Sequence, residues 1–170
     1  MRLRGEWLVL AERVIDDALT GNITLVSCLG QVAAVDFPAQ HHGFAIAARF
    51  SCAGKPPAAP TPVSFRLMRR SATDEEQCVT NWTVQWQPGT RVGHVGTNYQ
   101  VLRLRRPEII EFRIEHRVAE GTWHAGPTCS IDVLRLELTT EEREALATER
   151  ASLGLPPLAN PSRPDERPSN

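Results

Sequence analysis

Residues 110–118 read Ile-Glu-Phe-Arg-Ile-Glu-His-Arg-Val, apolar and charged side chains in near-strict alternation. Successive side chains of a strand point to opposite faces, so this stretch is a half-buried β-strand. Ile110, Phe112, Ile114, His116 and Val118 share its apolar face, and Glu111, Arg113, Glu115 and Arg117 share the other. The same period recurs in residues 81–87, with Trp82, Val84 and Trp86 on one side, and at Val63, Phe65 and Leu67. Phe44, Ile46, Ala48 and Phe50 repeat it, with Ala45 and Ala47 making that strand apolar on both faces. Further strands are expected over residues 7–14, 23–29, 99–105 and 130–138.

Turn chemistry separates these runs: Thr20-Gly21-Asn22, Pro88-Gly89, Arg106-Pro107-Glu108 and Glu120-Gly121. Glycine supplies positive φ and proline presets the first central residue of a turn. Residues 51–62 hold four prolines, which forbids a central strand, and read as a loop crossing between sheets. The pattern predicts an all-β fold, an antiparallel β-sandwich of about eight strands, Greek-key or jelly-roll-like. That domain is expected to occupy residues 1–138.

A helix follows. Thr139-Thr140-Glu141-Glu142 is a capping box, and glutamates crowd the first turn, where the helix dipole favours negative charge. Good helix formers continue to Leu153, and Gly154, Pro156 and Pro157 stop them, giving an appended helix over residues 139–153. Residues 154–170 are rich in proline and contain no aromatic residue, the composition of a disordered tail.

A length of 170 residues with 41% hydrophobic and 23% charged residues fits one soluble domain with tails. A net charge of −1 argues against nucleic acid as a partner. The basic residues are 18 Arg and the single Lys55, a bias that fits GC-rich coding. No run approaches the ~20 apolar residues of a membrane helix, so no membrane partner is expected. The apolar stretch at residues 7–11 is too short for a secretory signal. Cys28, Cys52, Cys78 and Cys129 are dispersed and read as reduced thiols, Cys28 and Cys129 as buried ones, so the expected location is cytoplasmic.

Residues 8–50 carry a resemblance. A strand through Val14 leads to Asp16-Asp17, the Thr20-Gly21-Asn22 turn, Ile23-Thr24-Leu25-Val26, a short strand through Val35, Phe37-Pro38 and a strand over residues 43–50. This order resembles an uncharacterised family of small bacterial β-sandwich proteins without an assigned function. The resemblance implies a sandwich and supplies no active-site residues.

No set of residues spells out a catalytic site. There is no GxGxxG, Walker, GxSxG or HExxH pattern, and Gly93-His94-Val95-Gly96 lies among strand residues rather than between helices. His124 and Cys129 are the nearest approach to metal-ligand spacing and lack a second pair. The expectation is therefore no catalytic residue, no metal and no cofactor. Binding candidates remain. Arg103, Arg105, Arg113 and Arg117, with Arg106, flank Pro107 and would share one face if their strands formed a hairpin. Trp82 and Trp86, with Trp123 and Tyr99, would line a pocket if they gathered, and His116 is a polar side chain on an apolar face. The favoured expectation is a non-enzymatic binding or assembly module engaging a protein partner or a copy of itself as a homo-oligomer. A small-ligand-binding sandwich and an enzyme of unrecognised type are the alternatives.

Overall fold

A computed structural model describes residues 1–16, 22–72 and 74–158, with the backbone alone at Asp16, Tyr99 and Gln100. The expected Thr20-Gly21-Asn22 turn, apart from Asn22, and most of the expected tail lie outside the described residues. Nine strands and one helix follow in order: β1 (Arg2–Asp16), β2 (Ile23–Cys28), β3 (Gln31–Ala34), β4 (Ala39–Ala53), β5 (Thr61–Ser71), β6 (Gln77–Trp86), β7 (Val92–Leu104), β8 (Glu108–Val118), β9 (His124–Arg135) and α1 (Thr140–Ser152).

The strands form two sheets, β2-β1-β4-β7 and β3-β9-β8-β5-β6, stacked as a sandwich. Every pair is antiparallel except β3–β9, so the all-β sandwich expected from the sequence stands, with one parallel pair added. After the β5–β6 hairpin the chain returns to lay β7 beside β4, a Greek-key type of connection. Phe50, Phe65, Phe112, Ile46, Leu67, Leu102 and Ile114 fill the space between the sheets. Phe50 packs on Phe65 with ring centroids 5.1 Å apart, and Phe44 meets Phe112 edge-on at 6.0 Å.

The loop expected at residues 51–62 does cross between sheets, but its ends belong to β4 and β5. Pro62 is tolerated in central β5 because it lies at the strand's start, where its carbonyl accepts from Ala119 N–H at 2.8 Å and no N–H is needed. At the β8–β9 turn the left-handed residue is Ala119 (φ 48°), not Gly121, whose N–H closes the turn on the Val118 carbonyl at 3.1 Å.

Thr139 caps α1 as expected, with its hydroxyl accepting from the Glu142 N–H and the Glu142 carboxylate accepting from the Thr139 N–H. Gly154 (φ 67°) ends the helix in a Schellman arrangement, its N–H on the Ala151 carbonyl and the Leu155 N–H on the Arg150 carbonyl. The helix buries no residue fully, and Arg143 reaches Asp36 at 3.7 Å. Among the described residues no helix is long and apolar enough to cross a membrane.

Candidate functional site

Two places collect the residues that sequence pointed to: the outer face of the five-stranded sheet, and the end of the sandwich where β1 begins. The open strand edges form a third feature.

The arginine hairpin does not form. β7 lies beside β4 in one sheet, and β8 lies between β5 and β9 in the other. Arg103 therefore sits on the opposite sheet from Arg113 and Arg117, and its backbone carbonyl accepts from Arg69 at 3.5 Å. Arg105 pairs with Asp74 at 3.3 Å, and Arg113 with Glu76 at 2.8 Å. The acidic β5–β6 turn thus neutralises one arginine from each side of Pro107, and the shared basic face is absent.

Glu115, 7% exposed, anchors the outer face of β8. Its Oε2 accepts from Arg66 Nε at 2.6 Å and its Oε1 from Arg113 Nη2 at 2.7 Å. Burial by itself would raise this carboxyl. The hydrogen bonds from Arg66 and Arg113, with their charges, outweigh that and hold it below the ordinary carboxylate range. Next to this network the Trp123 ring lies under the guanidinium groups of Arg66 and Arg117, at 4.4 and 5.0 Å.

The tryptophans do not gather around a pocket. Trp86 is buried in the core, where its indole N–H donates to the Thr90 carbonyl at 2.9 Å. Trp82 stacks on Phe65 at 5.8 Å, and Trp123 is on the outer face with the arginines. Each of these rings packs where its strand or turn placed it, and none of the three borders the cavity at the start of β1.

His116 is 3% exposed and lies edge-on to Phe50 at 5.2 Å. The β8–β9 register sets it directly opposite His124, with ring centroids 5.6 Å apart. Burial first, and the neighbouring His124 second, lower its pKa, while the Leu3 backbone acts in the other direction. His116 Nδ1 has no hydrogen-bond partner among the described residues. Both rings border a cavity of about 940 Å³ between the start of β1 and the β8–β9 hairpin. Among the described residues no three His, Cys, Asp or Glu side chains come close enough to hold a metal ion.

The cysteines are all free. Cys52 is buried and Cys129 half-buried, its thiol pushed up to about 12 by burial and then by Glu111. Cys28 is exposed rather than buried, because it ends the edge strand β2 in phase with the exposed Thr24 and Val26.

The edges are unequal. The short strands β2 and β3 flank one side of the sandwich, and the longer β6 and β7 flank the other. β6 contains no charged residue, no proline and no glycine, and Arg103 is the one formally charged residue of β7. Pro62 pairs with Gln85 and has no N–H, so that pair cannot exchange ladder bonds. Alternation then turns the backbone N–H and C=O groups of Asn81, Thr83 and Gln85 away from β5. The Gln85 carbonyl, taken by the Gln87 side-chain amide at 3.3 Å, points outward as this requires. No described strand pairs with that edge.

No family model matches the chain, and no curated protein matches it. Among solved structures, a superoxide reductase (neelaredoxin) from Ignicoccus hospitalis is similar with a TM-score of 0.30 and 10% identity, over 76% of this chain and 81% of that one. A likeness that distant carries no argument about this chain.

Proposed function

We propose that this chain is a non-enzymatic assembly module that joins a second copy of itself through the open edge of β6. The observation that carries the reading is the chemistry of that edge. Natural proteins blunt exposed edges with lysine, proline, bulges or short strands. β6 has no lysine or proline over its ten residues, its one register irregularity lies at Val79, before the regular run from Thr80 to Trp86, and the single Lys55 of the chain is in the β4–β5 loop. Antiparallel pairing of two β6 strands across a two-fold axis brings like residues near like, and an uncharged strand does so without repulsion. Asn81, Thr83 and Gln85 would offer backbone bonds to the partner, with their polar side chains on the solvated face and Trp82 and Val84 continuing the inner face.

The test is sedimentation of the protein and of Thr83→Pro. The Thr83 N–H points away from β5, so proline there leaves the β5–β6 ladder intact and removes a donor from the open edge. The wild type is expected to form a dimer that dissociates on dilution, and the variant to stay monomeric with the same circular dichroism. A wild type that is monomeric at every concentration refutes self-assembly. Pairing with a strand of another protein is the alternative outcome, seen as capture of a partner that Thr83→Pro abolishes while the free chain remains monomeric.

A further inference from the structure

The cavity at the start of β1 shares no residue with β6 or β7, so its chemistry is independent of the proposed assembly edge. Its volume of about 940 Å³ lies within the ~300–1,000 Å³ typical of small-molecule sites. Leu3, Val118 and Pro127 give it an apolar lining, and Gly121 and Gly126 add no side-chain bulk. Three polar groups converge there: His116, His124 and Thr122, whose Oγ1 is 3.4 Å from His124 Nε2. His116 is the unusual member, a polar ring almost wholly buried with a nitrogen lacking a partner. That nitrogen is itself closed off from solvent, so the polar contacts open to a bound molecule are those of the exposed His124 and Thr122.

The rim sets the sign of the group that fits. Arg2 and Arg4 border the opening, and the one carboxylate there, Glu6, is already held by Arg49 at 2.8 Å. Two imidazoles without a third ligand do not make a metal site. An inorganic anion would leave most of the volume and the whole apolar lining without a partner. We propose that this cavity binds a small organic monocarboxylate, with its apolar body against Leu3, Val118 and Pro127 and its carboxylate toward His124, Thr122 and the arginines of the rim.

The experiment follows the histidine ring resonances of the full chain during titration with benzoate and octanoate, using benzamide and inorganic phosphate as controls. The carboxylates are expected to shift the His116 and His124 rings saturably, and benzamide to leave them unmoved. His124 and Arg4 are exposed, so His124→Gln and Arg4→Gln should fold normally, and each should weaken benzoate by about tenfold. Failure of both carboxylates to move either ring overturns the proposal. Equal effects of benzamide and benzoate remove the anionic contact and overturn it as well. Phosphate binding as tightly as benzoate reduces the site to a bare anion site and overturns the claimed ligand class.

Discussion

Glu115→Gln is the sharpest perturbation of the fold's polar network. The carboxylate is 7% exposed and receives four N–H groups: Arg66 Nε and Nη2, each at 2.6 Å, and Arg113 Nε at 3.1 Å and Nη2 at 2.7 Å. Glutamine keeps one oxygen and puts an amide N–H2 against the other guanidinium, so one arginine loses both bonds. Hydrogen bonds to charged groups contribute about 1.5–3 kcal/mol each. The arginine side chains are 32% and 29% exposed, so water recovers part of that. A net loss of about 2 kcal/mol results, which lowers Tm by about 4–8 °C for a domain of this size. The loss also depends on pH. Because the folded pKa of Glu115 lies below its unfolded value, its contribution is complete above the unfolded pKa and fades as pH falls through the folded one. Urea unfolding of both proteins between pH 7 and pH 3 checks this, with the two stabilities converging at the acid end. A loss under about 0.5 kcal/mol, the value of an ordinary exposed ion pair, or a gap that stays constant with pH, would refute the reasoning.

Three further outcomes are expected. At Gly126 a Cβ would lie 2.7 Å from the Ile114 carbonyl oxygen, so Gly126→Ala should cost about 1–3 kcal/mol in urea unfolding, while Gly30→Ala, with open space around it, should cost nothing measurable. Thr139→Ala should cost the helix about 1 kcal/mol, seen as lost helical circular dichroism, yet leave the sandwich Tm unchanged because α1 buries no residue fully. His116 titrates below its ordinary value of about 6.5 in the fold, so the unfolded chain takes up its proton first as pH falls, and stability declines from about pH 6.5 down to the folded pKa. His116→Phe should abolish that decline, and an unchanged slope would show that the histidine is not its source.

Alternation made the sandwich legible, since a period of two marks a strand with one buried face whatever its neighbours are. It cannot say which strands are neighbours. Leu102 and Leu104 of β7 and Ile110 and Phe112 of β8 face the same core from opposite sheets. Two strands joined at Pro107 have the same pattern whether they pair side by side or stack face to face, and the arginine hairpin was lost on that ambiguity. β3 is four residues long and parallel to β9, a pairing set by tertiary contacts rather than by any local turn. The His116–His124 pair carried a usable signal. A hairpin turning about Glu120-Gly121 puts residues 116 and 124 opposite each other, and combining that turn with the strand pattern finds the pair. The cavity beside it carried none, because β1 comes from the far end of the sequence. The open edge of β6 was half legible: its uncharged composition is visible in the sequence, and its place at the sheet's margin is not.

Amide hydrogen exchange along β6, followed as a function of protein concentration, reads the proposed interface residue by residue. The N–H groups of Asn81, Thr83 and Gln85 face no strand of their own sheet. Self-assembly through this edge predicts that these three amides exchange fast in dilute solution and become protected together as concentration rises, with the amides of β2 unaffected. Fast exchange at all three positions at every concentration would contradict it.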